Sequence, residues 1–259
     1  MPFNACTVTI QGSINWCLAF VFQRLLTGVA GVTGEPAITS ANVIMGMILG
    51  PPFKWEWNRS SALSAITTKA GQSDYSVSLP TFGYLEKATL VNPAAPGPLA
   101  AQTGSWPNPP NFELEVYKVL AKDGQWSRPL KIATLLDDDA GNITFRLFPV
   151  PDKVYTVDLI YQNAPNFIPQ NANLATTTWA PIPDKMSYLY QRGLLAQFQG
   201  IYNSQLYLAG MSLFIRQLVA ATEGLSEAEK AIYLEDSLRA IQTQAAETLG
   251  IQQGKAARQ

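Results

Sequence analysis

Residues 142–161, NITFRLFPVPDKVYTVDLIY, alternate apolar and polar side chains on both sides of a proline-containing break. Before the break, Ile143, Phe145 and Leu147 point to one side of an extended chain. After it, the same alternation is carried by Tyr155, Val157, Leu159 and Tyr161. A period of two built from β-branched and aromatic residues predicts two half-buried strands. The Pro-Asp pair between them suits a turn, so we expect the two strands to form a hairpin.

The composition is unusually poor in charge for a chain of this size. The 259 residues suffice for one large domain or two smaller ones, and 47% of them are hydrophobic. Only 14% are charged, whereas roughly a quarter is typical of soluble domains. Two interpretations remain open: a somewhat apolar soluble protein, or a protein whose surface is largely covered by other chains, since interface cores lose charge and gain aromatic residues.

Several classes of chemistry are disfavoured by what the sequence lacks. It contains no histidine, which removes Ser-His-Asp and Cys-His catalysis and the commonest metal ligand. The net charge of −1 and pI near 5.5 argue against nonspecific binding of phosphates. Cys6 and Cys17 lack CxxC spacing and predict reduced, structural thiols. No glycine-rich phosphate loop is present, so we expect no cofactor.

Two acidic groups are the remaining candidates for chemistry. Glu113 and Glu115 lie two apart on a predicted strand and resemble a glycosidase pair only loosely, because such pairs normally come from different elements. The acidic run at residues 137–142 offers oxygen ligands for Ca²⁺ but lacks the spacing of an EF-hand. We interpret both as solvated surface groups. The sequence therefore predicts neither a catalytic nor a metal site.

The first 52 residues are predicted to form an N-terminal arm and short helices. Residues 1–11 read as an extended arm, and residues 14–26 as a buried amphipathic helix too short to span a membrane. A second helix, residues 41–49, is expected to be capped by Thr39 or Ser40. The next stretch, FKWEW, places Phe53, Trp55 and Trp57 on one face of a predicted strand, where they serve as core or interface rather than as a sugar-stacking platform.

Residues 53–180 are predicted to form an antiparallel β-domain, as a sandwich or a barrel. Strand patterns follow one another through residues 62–91, 112–120 and 131–136. A proline-rich insert at residues 92–111 interrupts them, and its composition is incompatible with a helix or a central strand. We predict a projecting loop that lies on a neighbouring subunit, with Trp106 as the intersubunit anchor, or else a mobile loop.

Residues 181–250 are predicted to be helical, beginning at Asp184 as a cap. Apolar residues at intervals of three and four indicate one long helix, or two with a break near Gly200 or Gly210. A capping box at Ser226 and Glu229 starts a last helix. Its narrow apolar seam, whose partner is either the chain's own long helix or a neighbouring subunit, includes Leu234, Leu238 and Ile241. We expect Gly250 to end this helix and residues 251–259 to form a flexible tail. The fold class is α+β.

Three stretches together resemble a known family. They are residues 69–89, KAGQSDYSVSLPTFGYLEKAT, the F-x-x-P-x-P-D-x-x-Y-x-V-x-L-x-Y run at residues 145–161, and residues 180–200, APIPDKMSYLYQRGLLAQFQG. They are similar to the head-to-tail connector, adaptor or neck-ring proteins of tailed bacteriophages, including tail tubular A and gatekeeper-type subunits. The resemblance spans about residues 60–220 and is weakest over the C-terminal thirty or so residues of the chain.

The resemblance implies a structural protein of the virion neck, made in the host cytoplasm. The family forms homo-oligomeric rings, typically twelvefold, that dock on the portal protein above and bind a tail protein below. DNA passes through the channel during genome ejection without sequence-specific binding, and neither catalysis nor membrane contact is implied. Two alternatives stay open: another tail ring, tube or nozzle component, or a carbohydrate-binding β-module that stacks sugars on Trp55, Trp57 and Trp106.

Overall fold

The computed structural model describes residues 5–20, 36–92, 97–101, 126–137, 141–200, 203–222 and 224–256. The chain divides into two compact units. Arg59–Ala164 forms a β unit, and Met1–Asn58 together with Pro165–Gln259 forms a helical unit. The α+β class is confirmed, with helices at both ends of the chain and strands between them.

The unit boundaries differ from the predicted ones at residues 52 and 180. Residues 53–58 and 165–180 belong to the helical unit, and the N- and C-terminal helical parts, predicted as separate, share one core. The physical reason is apolar burial: Phe53, Ile168 and Trp179 are all buried in the helical core, although none of them lies in an α-helix. The β unit is thus a continuous insertion within the sequence of the helical unit.

The helical unit contains five α-helices in the described residues: α1 (Ile10–Leu18), α2 (Ala37–Leu49), α3 (Ser187–Gly200), α4 (Ser204–Ala221) and α5 (Glu227–Ala256). Helix α2 begins before Thr39 and Ser40, so the prediction that one of them caps it is wrong. Pro36 occupies the N-cap position without a side-chain hydrogen bond. Proline's fixed φ is compatible with a helix start, and apolar burial from Ala37 onward extends the helix further than its polar residues suggested.

The long C-terminal helical pattern divides at Gly200, one of the two predicted breaks. Asn203 then caps α4, since its side-chain oxygen accepts hydrogen bonds from the backbone N–H groups of Gln205 and Leu206 at 2.9 and 3.3 Å. A side chain at Gly200 would meet the ring of Tyr207 at 2.8 Å. Glycine at this break therefore allows the first turn of α4 to approach closely.

Helix α5 begins at the predicted capping box and runs further than predicted. The Ser226 N–H donates to the Glu229 carboxylate at 2.8 Å, and the Glu229 N–H donates to the Ser226 hydroxyl at 3.3 Å. The helix continues through Gly250 to Ala256, so the expected end at Gly250 and the tail from residue 251 are corrected. One interior glycine costs only about 1 kcal/mol in a helix, which is not enough to end it.

Aromatic stacking and one buried hydrogen bond fasten α1 to α3. The Trp179 ring stacks on Tyr190 with centroids 4.4 Å apart, and the Trp179 indole N–H donates to the Ser13 hydroxyl at 2.9 Å. All three side chains are buried. Burial of a polar hydroxyl is costly unless it is hydrogen-bonded, so the Trp179–Ser13 bond satisfies a group that otherwise disfavours this packing.

Asp184 does not cap a helix as predicted; its carboxylate holds the N-terminal segment. It accepts hydrogen bonds from the Thr7 hydroxyl at 2.6 Å and from the backbone N–H groups of Thr7 and Val8 at 2.9 and 3.0 Å. Thr9 pairs with Thr178 in an antiparallel bridge. Residues 5–9 of the predicted extended arm thus lie along their own chain. Residues 10 and 11 already belong to α1, which begins earlier than the predicted start at residue 14.

The β unit contains seven strands in the described residues: β1 (Arg59–Thr67), β2 (Asp74–Ser78), β3 (Phe82–Asn92), β4 (Gly97–Ala101), β5 (Lys131–Asp137), β6 (Asn142–Phe148) and β7 (Thr156–Asn163). Their order is β1-β7-β3-β4-β5-β6-β2. All pairings are antiparallel except the short parallel contact between β4 and β5. That contact joins two sheets around one core to which every strand contributes.

Residues 142–161 form the two predicted strands, but these strands do not form a hairpin. Strand β6 pairs with β5 and β2, whereas β7 pairs with β1 and β3. The alternation is as predicted, with all seven inward residues of the two strands and their link buried. Because both apolar faces enter the same core from different sheets, the segment between the strands crosses from one sheet to the other instead of making a tight turn.

The proline-rich insert is not wholly a loop. Strand β4, Gly97–Ala101, lies between β3 and β5 and contains Pro98, which corrects the prediction that residues 92–111 form no central strand. Proline removes one backbone donor. The strand tolerates this loss because its pairing is short, with three residue pairs to β3 and two to β5.

The shared core of the β unit predicts a sharp contrast between two leucines. Leu147 on β6 is fully buried, whereas Leu135 on β5 is 39% exposed. We expect Leu147→Ala to lower the free energy of unfolding by about 2–5 kcal/mol, because it removes buried methyl groups and leaves a cavity. The matched Leu135→Ala is expected to cost less than about 1 kcal/mol. Urea denaturation of both variants measures the difference; equal losses contradict this core.

The Asp184 contacts predict an acid-sensitive contribution to stability. Burial raises the pKa of Asp184, but hydrogen bonds from Thr7 and Val8 outweigh it and lower the pKa below its ordinary 3.8. A lowered carboxyl pKa stabilises the fold above the ordinary value, and this contribution is lost as the pH falls through the folded-state pKa.

We expect Asp184→Asn to lower the free energy of unfolding at neutral pH by about 1–2 kcal/mol, since bonds to an ionised acceptor are the stronger kind. Its stability is also expected to fall less steeply than that of the parent below about pH 4. Thermal unfolding across pH, with the exposed Asp236→Asn as control, measures both effects. An unchanged pH dependence contradicts the assigned role of Asp184.

Candidate interaction surfaces

The aromatic residues Phe53, Trp55 and Trp57 do not lie on a strand as predicted. Residues Glu56–Asn58 form a 3-10 turn, and the three rings stack in sequence, with centroids 6.3 and 5.5 Å apart. Phe53 is fully buried and Trp55 is 4% exposed, with its indole N–H donating to the Ile48 carbonyl at 2.7 Å. Trp57 is half-buried at the edge of this core. Trp55 is therefore out of reach of a stacking sugar.

The predicted seam on α5 faces its own helical unit. Ile241 is buried, and Leu234 and Leu238 are half-buried. Helix α5 packs against α4, which is one of the two partners that the sequence left open. Tyr233 adds an edge-on contact to the Phe53 ring at 4.9 Å.

Several predicted features lie outside the described residues. They are Trp106, the predicted strand at residues 112–120 with Glu113 and Glu115, and residues 138–140 of the acidic run.

The remaining polar clusters are engaged in holding the β unit together. Glu86 on β3 accepts two hydrogen bonds from the Arg59 guanidinium, at 2.9 and 2.6 Å, and one from the buried Gln162 amide at 2.7 Å. These bonds join β1, β3 and β7. Asp74 and Arg146 form a two-pronged ion pair at 2.7 and 2.6 Å between β2 and β6. The hydrogen bond from Arg146 is the main cause that lowers the pKa of Asp74.

A shallow cavity of about 240 Å³ lies where edge strands β1 and β2 approach without pairing. Its lining includes Ile66, Lys69 and Tyr75. The Tyr75 hydroxyl already donates to the Gln72 carbonyl at 2.7 Å. We interpret the cavity as the gap in an incompletely closed barrel.

The two thiols are poorly suited to nucleophilic chemistry. Burial raises the pKa of Cys17 to about 12, and burial followed by the charge of Asp184 raises the pKa of Cys6. A thiol reacts as its thiolate, so the raised pKa values disfavour both thiols as nucleophiles near neutral pH. In the part of the chain that the structure describes, no group of three metal-ligating side chains comes together. Nor does any described helix have the length and apolar character needed to cross a membrane.

Large apolar side chains are exposed on the β unit near the turn at residues 68–72. Trp126 is 56% and Val154 is 60% exposed, and Leu130 is similarly open. Trp126 forms a bridge with Val150, and its ring lies over Gly71, where a side chain would meet it at 3.2 Å. We call this region the rim surface, and it consists of Lys69, Trp126, Leu130, Lys131, Lys153 and Val154.

The helical unit exposes apolar side chains on α4 and α5. Leu206 and Leu213 are seven residues apart on α4 and therefore lie on one face of that helix. On α5, Ile232 is 63% exposed between acidic residues. We call the region around Ile232 the α5 acidic face, and it consists of Glu229, Ile232, Glu235 and Asp236. Leu206 and Leu213 on α4 are not part of it. Sequence analysis missed both surfaces, because periodicity identifies a buried face but does not single out apolar residues that break the pattern outside it.

Comparison with known proteins adds no further assignment. No protein-family model matches the chain, and no curated protein matches its sequence.

Proposed function

We propose that this protein is a structural subunit of a tailed-phage virion that forms a ring between the portal and the tail. The observation that carries the proposal is the presence of two different exposed apolar surfaces, the rim surface on the β unit and the exposed residues of α4 and α5 on the helical unit. A subunit that joins two neighbours through unlike surfaces makes heterologous contacts, and these close into a ring when the rotation returns to the start.

The composition supports association with other chains. Only 14% of the residues are charged. Large apolar side chains such as Trp126 and Ile232 are exposed in the described part of the chain. Exposure of aromatic and apolar side chains to water is unfavourable in a free monomer, and their burial between subunits is favourable. A low charge content thus suits a chain whose surface is buried against other subunits in an assembly.

The position in the virion comes from the resemblance of residues 69–89, 145–161 and 180–200 to connector proteins. On that basis the ring is twelvefold, docks on the portal, binds a tail protein and surrounds the DNA as it leaves the head. A net charge of −1 suits such a channel, because a strongly basic lining retains DNA by releasing its counterions. Another ring or tube component of the tail shares these properties and is distinguished by its location in the particle.

Light scattering of the purified protein, alone and with the portal ring of the same virion, tests the proposal. We expect a defined high-order assembly in at least one of the two conditions. Leu213→Glu places a charge on the exposed face of α4 and is expected to weaken assembly by about tenfold or more if that face is an interface anchor.

Leu63→Glu is the matched control, because Leu63 is 77% exposed on β1 and outside both surfaces. Circular dichroism of each variant confirms that the fold is retained. A protein that stays monomeric at all concentrations and does not bind the portal contradicts the proposal.

A further inference from the structure

We propose that the rim surface of one copy docks on the α5 acidic face of a neighbouring copy. This inference rests on the proposed ring and names the two surfaces that form its repeating contact. Each surface combines at least one large, exposed apolar side chain with charges of predominantly one sign, and the signs are opposite.

The rim surface is held in place by backbone hydrogen bonds. The Ser127 N–H donates to the Val150 carbonyl at 3.0 Å, and the Gly71 N–H donates to the Pro151 carbonyl at 2.9 Å. The Thr68 hydroxyl donates to the Lys153 carbonyl at 2.9 Å. These bonds fix the backbone beside Trp126 and Val154, so the exposed side chains lose little further backbone entropy on binding.

The charge of the rim is mainly positive. Lys69, Lys131 and Lys153 are exposed, and the carboxylate of Asp152 accepts a hydrogen bond from the Tyr155 hydroxyl at 2.7 Å. Lys153 also lies over the Tyr155 ring, 5.7 Å from its centroid. The rim therefore combines an exposed aromatic side chain with exposed ammonium groups, which fits an apolar partner that carries carboxylates.

The α5 acidic face supplies the complementary chemistry. Between Glu227 and Arg239 the helix carries four carboxylates and two cations, and its first turn is acidic, as the helix dipole favours. Ile232 projects from this region with 63% of its surface exposed. Glu235 forms an exposed ion pair with Arg239 at 2.7 Å, and the face keeps a net negative charge through Glu229 and Asp236. Ile232 offers Trp126 and Val154 an apolar contact, and this net negative charge offers the lysines an electrostatic partner.

Electrostatics also favours unlike surfaces over like ones. Two rims brought together place lysines against lysines, and two acidic faces place carboxylates against carboxylates. Like-charge contacts oppose both twofold arrangements, whereas the rim-to-helix arrangement brings opposite charges together. The resulting contact is heterologous, as ring closure requires. DNA phosphates also attract the lysines, but they make no use of the exposed Leu130 and Val154 beside them, so we favour a second copy as the occupant.

Disulfide trapping between two separately made variants tests the contact directly. One variant carries Val154→Cys and the other Ile232→Cys, both in a Cys6→Ser background; Cys17 is kept because it is fully buried. Because the two variants are made separately, a disulfide between them can form only between different copies. The matched control pairs Ile232→Cys with Leu63→Cys, which lies outside the rim and is also highly exposed.

We expect the Val154–Ile232 pair to form the mixed disulfide at least about tenfold faster than the control pair, because the contact raises the effective thiol concentration. Equal rates for the two pairs, or a predominance of Ile232–Ile232 dimers, overturn the inference. If light scattering shows the ring in such a case, the proposed function survives without this interface. If no assembly forms under any condition, the proposed function itself fails.

Charge reversal provides a second test that does not depend on cysteine reactivity. Lys69→Glu with Lys153→Glu is expected to weaken assembly, and so is Glu235→Lys with Asp236→Lys. A copy that carries all four changes is expected to recover assembly at least in part, since opposite charges again meet. Failure of recovery when the combined variant is folded overturns the inference. So does unchanged assembly of the lysine variant with loss of duplex-DNA binding, which identifies DNA as the occupant.

Discussion

The β unit depends on the burial of alternate side chains from β6 and β7 in one core. Ile143, Phe145 and Leu147 enter that core from one sheet, and Val157 and Leu159 enter it from the other. Each buried large apolar side chain contributes about 1.5–3 kcal/mol. This burial outweighs the local preference for a tight turn between adjacent strands, so the chain crosses between the sheets. The other five strands then add to one or the other of these two, and the gap between β1 and β2 is left as a shallow cavity.

The helical unit also depends on the burial of apolar side chains in one core. Its core takes in residues from both ends of the chain, and Asp184 accepts hydrogen bonds from three donor groups of Thr7 and Val8 that hold the N-terminal segment beside α3. The polar side chains with the strongest contacts, Glu86 and Asp184 among them, are thereby occupied within the fold. The rim surface and the α5 acidic face are different, because their apolar groups are exposed in the part of the chain that the structure describes. We propose that association between copies gives these groups a physical role.

Sequence periodicity predicted the burial of individual faces well, because alternation reports directly which side of a strand avoids water. It did not predict which strand pairs with which: β6 and β7 show the same pattern whether they are paired or on opposite sheets. Composition led to two wrong predictions. Pro98 lies in a short central strand, which tolerates one missing backbone donor, and Gly250 lies within α5, because the penalty of a single glycine is too small to end the helix. The rings of Trp55 and Trp57 stack on each other across a 3-10 turn. Their spacing of two residues is the same as that of neighbours on one face of a strand, so the sequence pattern did not distinguish the two structures. The exposed Trp126 and Ile232 carry no periodic signal at all.

We propose that copies of this chain associate head-to-tail through two unlike surfaces. Averaged electron micrographs of the purified assembly, formed alone or on its portal, test it most directly. The account predicts a closed ring in which every subunit contacts its two neighbours through different faces, one from the β unit and one from the helical unit. Particles with only twofold symmetry, in which identical faces meet, contradict the claim.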